Sequence, residues 1–478
     1  MSRAPRDAEA AATPGASPDA PGPGTGEGNL GLPPVLTDRV AEALLDDAEP
    51  RACDALPGEA CTVVPGNAAW NVVSGAFSKL GEQLSSPGTV LPWILATVGA
   101  PSAFTALLVP VKDAGSLLPQ LAVAGTLRAK ARRAPWWVGA AAVQTIALAL
   151  MALAVALADG TAAGMAIIAA LAAFSVASGV ASVAFKDVMA KTVPEGGRGR
   201  VLAWRSTVGG LLGVAAGLGL TLVVDGADAR APYVLLIAGA AGCFAGATLS
   251  FARIREEPGH RKGGRNALDE ARVGLRLLRS VPGFRAFVTA RALLLAVPLA
   301  LPFLTVFGRE HVDASLGGLG VFVAANALAA SLASPAWGRA ADLAAHRTMA
   351  LGGAISVLAV GYAFTLAWGP VPEEWRSAWT YVPAFLLAGV GYAGVRLGRK
   401  TYLVDAPPND DRPTWVAVAN TSIGGATLIG AAVGATAAWW GASGALVVFS
   451  VLTLVGCAAA WRLPEASELR ARAERGAA

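Results

Sequence analysis

The sequence predicts an all-α membrane protein with twelve transmembrane helices in two six-helix bundles related by pseudo-two-fold symmetry. Of its 478 residues, 54% are hydrophobic and only 15% charged, against about a quarter charged in soluble domains. From Trp70 onward, apolar runs of about 20 residues recur, each long enough to cross a hydrocarbon core of roughly 30 Å. Short motifs of the first half also return, in the same order, in the second. A mean hydropathy of +0.53 with 56 glycines and 30 prolines fits this class, since both residues are commoner in spanning helices than in soluble ones.

Composition also excludes functions. The net charge of +5 is modest, and the basic residues lie between apolar stretches without interleaved aromatics, which is not a nucleic-acid footprint. Cys53, Cys61, Cys243 and Cys457 show no CxxC or metal-ligand spacing, so free thiols and no bound metal are expected. His260, His311 and His346 all fall in predicted loops, and HExxH, GxSxG and Walker-type glycine motifs are absent from the sequence. Neither an enzyme nor a cofactor is indicated, and ATP-driven pumping by this chain alone is disfavoured.

Taken in order, residues 1–66 read as a disordered tail rich in Pro, Gly, Ala and Ser, without the apolar core of a cleavable signal. Within it, Leu36, Val40, Ala43 and Leu44 are spaced as one face of a short amphipathic helix over 35–48. The spans are predicted at 69–98, 102–126, 136–158, 162–190, 200–224, 232–252, 286–308, 314–338, 349–369, 378–402, 414–439 and 442–461. Lipid offers the backbone no hydrogen-bond partners and the runs are too long for barrel strands, so each must be helical. The one long polar break, 254–284, divides a first bundle (67–253) from a second (285–464), leaving 465–478 as a C-terminal tail. In that break Leu268, Leu275, Leu278 and Val281 recur at helical intervals, with Asp269 and Glu270 early and Arg272, Arg276 and Arg279 late, the order a helix dipole favours.

Loop charge sets the orientation. With a cytoplasmic N-terminus, the inward loops carry Arg128, Lys130, Arg132 and Arg133, then Arg198 and Arg200, the basic central break, Arg339 and Arg347, and Arg412. The outward loops carry Arg230, Arg309 and Arg376. By the positive-inside rule both termini are cytoplasmic, in a cell (inner) membrane.

The repeat is explicit in three places. Lys186-Asp187-Val188-Met189, followed by Val193-Pro194, returns as Lys400-Thr401-Tyr402-Leu403, followed by Pro407-Pro408. Arg205-Ser206-Thr207-Val208-Gly209-Gly210 returns as Asn420-Thr421-Ser422-Ile423-Gly424-Gly425, and Leu91-Pro92-Trp93-Ile94 as Leu301-Pro302-Phe303-Leu304. Such order points to duplication of a six-helix unit. Spans 3, 6, 9 and 12 contain no charge, whereas spans 1, 2, 4, 5, 7 and 10 each contain at least one. A charge in hydrocarbon costs several kcal/mol, so the first group is suited to lipid and the second to protein or a water-filled cavity.

Two parallel six-helix repeats with every third helix apolar resemble the Major Facilitator Superfamily. The loop after span 8 carries part of that family's Gly-x-x-x-Asp-x-x-x-x-Arg signature as Gly338, Asp342 and Arg347, with Ala344 and His346 departing from it; the corresponding stretch Gly125 to Arg133 keeps the basic end without the acid. The resemblance spans residues 67–464. It implies a secondary active transporter working by alternating access, ion coupled with the proton as the ion, with Gly338, Asp342 and Arg347 forming a cytoplasmic gate. The alternative is a non-transporting protein of the same fold, an assembly or pigment-delivery factor that binds another membrane protein. A monomer, with a small-molecule substrate and protons as partners, is expected.

Lys79 and Glu82 stand at i and i+3 in span 1 beside Gln83, just before Ser85-Ser86-Pro87-Gly88, which can interrupt the helix. Lys112 and Asp113 lie near mid-depth in span 2 after Pro110. These residues, with Arg291, read either as a substrate and proton pathway or as internal ion pairs. Arg205 and Arg291 suit a carboxylate or phosphate group, or salt bridges at bundle ends. Lys186 and Asp187 approach the cytoplasmic end, where snorkelling explains a lysine equally well. Asn326 and Asn420 can bind substrate or join helices.

The charge asymmetry carries a topological prediction: a cysteine placed at Gly263 in a background lacking the native thiols will stay unlabelled by a membrane-impermeant thiol reagent on intact cells, and will label once the membrane is opened. Labelling of intact cells would reverse the orientation.

Overall fold

The computed structural model describes residues 64–128, 130–193, 198–222, 230–258, 276–312, 315–408 and 412–477. The expected helix over 35–48, the tail before Val64, Cys53 and Cys61, and most of the expected linker helix lie outside the described residues. Among the described residues the principal helices are α1 (Val64–Leu84), α2 (Val90–Thr97), α3 (Ala103–Arg128), α4 (Ala134–Leu157), α5 (Gly160–Thr192), α6 (Arg198–Thr221), α7 (Ala231–Phe251), α8 (Pro282–Leu293), α9 (Ala296–His311), α10 (Leu316–Trp368), α11 (Ala378–Asp405), α12 (Arg412–Ala437), α13 (Gly441–Trp461) and α14 (Ala466–Ala477). They form the all-α architecture expected; among the described residues eight helical stretches are long and apolar enough to cross a membrane, and with α1–α2 and α8–α9 each taken as one crossing and α10 as two the order is consistent with twelve spans.

Three departures from the predicted spans have local causes. Span 1 is broken between α1 and α2, where Pro87 offers no donor. Ser85 Oγ donates to Gly81 O at 2.7 Å, and Leu91 N resumes pairing with Ser86 O at 2.9 Å. Span 7 is likewise broken between α8 and α9, ahead of Pro298, which cannot donate back to Leu294. Spans 8 and 9, predicted with a loop over 339–348, are two helices, the two arms of α10, and helical backbone extends through that loop from both sides to a sharp break at Ala344 (φ −156°, ψ 85°). The C-terminal tail holds an unanticipated helix, α14. Its Leu469 is buried over Gly283, its Arg470 Nη2 donates to Asp405 O, and Tyr402 Oη donates to Pro464 O at 3.0 Å just before it.

In the first half α4 packs on α5 and α7, α3 on α5, and α1 on α6 and α7; in the second, α13 packs on α8, α9 and α10, and α10 on α11. The halves meet along two seams exchanged by the pseudo-two-fold: α3 against α12, and α6 against the first arm of α10, with α2 against α9 between them. Lipid-suited surface falls where the charge-free spans predict it. Ile146, Leu150, Leu153 and Leu157 on α4, Leu235 and Leu249 on α7, Leu351 and Leu358 on α10, and Val447, Val451 and Leu454 on α13 are all exposed.

At the first seam Gly434 packs against Ala106 and Gly424 against Leu118; at the second the backbones nearly touch. A Cβ on Gly217 would lie 2.6 Å from Ala324 N, and one on Gly320 would lie 2.5 Å from Gly217 O. Gly219, two residues away, has open space beside it. Gly217→Val should therefore destabilise the protein by about 1–3 kcal/mol, read as a lowered thermal unfolding midpoint in detergent, while Gly219→Val leaves the midpoint nearly unchanged. Equal effects of the two would remove the seam's role.

Candidate functional site

Breaking span 1 at Ser85–Thr89 ends α1 in mid-membrane and turns its last two helical turns toward the space between the halves. Lys79, Glu82 and Gln83 lie there, followed by Pro87 and Gly88. Together with Lys112 and Asp113 of α3, Ser206 and Thr207 of α6, Asn326, Ser334 and Ser356 of α10, and Tyr392 and Arg396 of α11, they wall a cavity of about 820 Å³. Both halves contribute, and with Ser450 and Thr453 of α13 the polar groups come from six helices.

The cavity is closed at the face away from the termini. Thr305 Oγ1 of α9 donates to Gly88 O at 2.6 Å, and Arg309 Nη2 reaches Thr97 Oγ1 at 3.5 Å. Ser102 Oγ donates to Ala438 O at 3.5 Å. Trp93 of the first half meets Phe322 of the second edge-on at 5.8 Å, with Arg309 over the Trp93 ring. Apart from Gly88, which sits in the break of span 1, these residues lie toward the far ends of their spans. The cavity walls instead run toward the terminus face through Ser206, Ser334 and Arg396.

Lys79 Nζ and Glu82 Oε2 are paired at 2.6 Å with side chains 48% and 38% exposed, so the pair looks into the cavity and is not sealed among helices. Glu82 has Lys79, Lys112 and Arg205 as charged neighbours; Asp113 has Lys112, Arg399 and Arg291. Arg291 itself is buried behind the wall, where Nη2 donates to Asn420 Oδ1 at 3.0 Å while Nε and Nη1 have no hydrogen-bond partner. In the other half Arg205 Nη1 donates to Asn71 O at 2.7 Å and to Asn71 Oδ1 at 3.2 Å, with its guanidinium over Phe185 at 4.4 Å. Each half thus joins its first helix to its fifth through one Arg–Asn pair, with donor and acceptor exchanged. All four residues lie in the third turn of their helices. The equivalence of Arg205 and Asn420 in the sequence repeat is the same relation. Asn420 is a helix joiner and Asn326 a cavity residue.

Lys186 and Asp187 stand apart from the cavity. Lys186 is exposed, and Asp187 Oδ2 meets Arg133 Nε at 3.2 Å. Next to it Lys191 pairs with Glu256 at 2.6 Å, and Glu256 Oε2 also accepts from Arg133 N and Ala134 N at 2.6 Å. The acid missing from the first-half loop motif is therefore supplied by residues distant in sequence. In the second-half motif, a Cβ on Gly338 would meet open space, Asp342 is exposed, and Arg347 lies 5.8 Å from the Trp461 ring centroid. Among the described residues Asp342 forms no ion pair. Sequence reasoning passed over Arg396, Arg399 and Lys400, although three cations at i, i+3 and i+4 in a predicted span were a legible signal.

Two helical halves enclose a polar cavity from both sides, and the chain has the Major Facilitator Superfamily fold. The model of the Major Facilitator Superfamily matches residues 299–478. The chain is similar to the E. coli xylose transporter in its inward-open conformation, with a TM-score of 0.63 and 12% identity over 86% of this chain and 99% of that one. It is also similar to a POT family transporter in complex with a thioalcohol-conjugated peptide, with a TM-score of 0.60 and 12% identity over 81% of this chain and 94% of that one. Uncharacterized proteins of Mycobacterium bovis and Mycobacterium tuberculosis are 29% identical over 408 residues, covering 82% of this chain and 76% of theirs.

The Arg291–Asn420 bond yields a stability prediction. Asn420→Ala removes the hydrogen bond that Arg291 makes among the described residues and should cost about 1.5–3 kcal/mol, the worth of a hydrogen bond to a charged group. Asn326→Ala, which changes a cavity wall, should leave the thermal midpoint in detergent within a degree or two of wild type by the usual behaviour of partly exposed sites. A midpoint for Asn420→Ala equal to that of Asn326→Ala would show that the pair does not hold α8 to α12.

Proposed function

We propose that this chain is a secondary active transporter that moves a small molecule across the cell membrane by alternating access, coupled to protons. The observation carrying this reading is the cavity itself: it lies on the seam between two pseudo-symmetric halves, takes wall residues from both, and is closed at one face by contacts confined to that face. Rocking of the halves about the α3/α12 and α6/α10 seams would break those contacts and close the terminus face, exposing one site alternately to each side. Similarity in fold to the xylose and POT family transporters supports the same class of activity.

In this reading Glu82 and Asp113 are the ionisable centre, with Lys79, Gln83 and Lys112 beside them and Arg291 acting from behind Asp113. The terminus face is cytoplasmic, by loop charge, and Gly338, Asp342 and Arg347 gate it. Asp342 is exposed and, among the described residues, forms no ion pair, with the cavity walls reaching its face, as a gate residue would be while that side is open. The protein works as a monomer, because each chain holds a whole cavity. No observation favours the assembly-factor reading, which predicts a fixed membrane-protein partner and no flux.

Reconstitution of the purified chain in proteoliposomes with an imposed proton gradient tests this directly. Gradient-dependent uptake of a solute supports the carrier; absence of flux across a broad solute panel, together with co-purification of one partner, supports the factor. For the ionisable centre, Lys79→Gln and Glu82→Gln should each lower uptake at least tenfold, and the double variant should remain as inactive as Glu82→Gln while folding normally. A purely structural ion pair behaves oppositely, because removing both charges leaves nothing unpaired. Near-wild-type uptake by the double variant would dismiss Glu82.

A further inference from the structure

The charges around the cavity do not balance. Lys79, Lys112 and Arg396 line it against two carboxylates, Glu82 and Asp113. Glu82 is already matched by Lys79 at 2.6 Å. Asp113 is the single acid among Lys112, Arg399 and Arg291. Further toward the terminus face, Lys400 has Arg396, Arg399, Lys79 and Lys186 as charged neighbours, all cationic and drawn from both halves. Protonating either carboxylate only enlarges the excess.

Two of these cations also carry buried donors without a hydrogen-bond partner. Arg396 forms no ion pair among the described residues; its guanidinium lies 5.9 Å from the Tyr392 ring centroid, and Nε is buried without a hydrogen-bond partner. Arg291 is 6% exposed with Nε and Nη1 likewise unmatched. Buried donors without acceptors are costly, and like charges repel strongly where the effective dielectric is low. An arginine fork of this kind is matched by the paired oxygens of a carboxylate or phosphate.

We infer that the cavity takes an anionic solute, bearing a carboxylate or a phosphate group, with Arg396 of the second half as its anchor and Lys112 of the first half opposing it. The inference rests on the transporter reading for the solute's fate, but not for its binding. It also supplies a reason for closure to require substrate. Bringing the terminus-face ends of the halves together crowds Lys79 and Lys186 against Arg396, Arg399 and Lys400, and an anion held between them offsets that repulsion. An empty cavity stays open at that face.

Ligand-dependent thermal unfolding of the purified full chain tests the binding, at constant ionic strength with chloride as the balancing ion. The probes are succinate and glycerol 3-phosphate, their uncharged counterparts succinamide and glycerol, and putrescine as a cation. One or both anions should raise the unfolding midpoint while the uncharged and cationic probes do not, and whichever anion acts assigns carboxylate or phosphate chemistry. Arg396→Gln should weaken the apparent affinity of that anion about 10–100-fold, the loss expected for hydrogen bonds to a charged group, and Arg396→Lys should recover part of it. Should Arg396→Gln fail to fold, Lys112→Gln takes its place. General salt stabilisation would act equally on wild type and variants, so an anion effect unchanged by Arg396→Gln overturns the inference, as does a midpoint that no anion moves or that succinamide, glycerol or putrescine moves as much. Anion binding with no proteoliposome flux would retain the site and remove the carrier; flux of an uncharged solute unaffected by Arg396→Gln would retain the carrier and remove the anion.

Discussion

A peptide group or a charge inside hydrocarbon must find its partner within the protein, and this requirement organises the molecule. It makes every crossing helical, since only a helix satisfies its own backbone. It sorts the helices, sending α4, α7, the second arm of α10 and α13 to the rim with exposed leucines, isoleucines and valines. It draws the charged spans inward, where their side chains either pair across helices, as Arg205 does with Asn71, or face a shared cavity, as Lys79 and Glu82 do. The interior that results is polar only where it has to be.

Within that frame, the irregular backbone is concentrated where the halves face each other. Pro87 ends α1 below the cavity roof, and the freed carbonyl of Gly88 is taken by Thr305 from the opposite half. Residues that interrupt one helix thereby supply the contact that closes the far face. The glycines of the α6/α10 seam act differently: they bring two backbones almost into contact, Gly217 against Ala324 and Gly320 against Gly217. One seam is therefore set by backbone shape, while the contacts at the far face are hydrogen bonds and ring edges that can be made and unmade.

Architecture was legible in the sequence because it depends on length, apolarity and charge distribution, which are local or additive. The lipid-facing helices could be named from the absence of charge alone, and the break in span 1 from Ser85-Ser86-Pro87-Gly88. The tightness of the turn between spans 8 and 9 was not legible, because the polar run 339–348 reads as a loop while only Ala344 leaves helical geometry. Nor was α14, whose charged surface resembles any solvated tail until Leu469 is seen over Gly283. At the site, the residues on α1 and α3 were visible as charges at depth. The pairings were not: that Arg291 meets Asn420, or that Asp187 and Glu256 surround Arg133, depends on which faces the helices turn to one another. Composition says that a buried cation needs a partner without saying which.

The terminal helix α14 ties together parts of the second half that are distant along the chain. It rests Leu469 on the start of α8, receives its anchor from the end of α11 through Asp405, and follows a hydrogen bond from Tyr402 to Pro464 at the end of α13. Three spans of one half are thus strapped at the same face, much as a hoop holds staves. These contacts all fall within the second half, so the strap stiffens that side of the molecule. Movement that opens or shuts the cavity must then be a tilt of whole staves as one piece, and a load applied at any of the three strapped ends is shared by all of them.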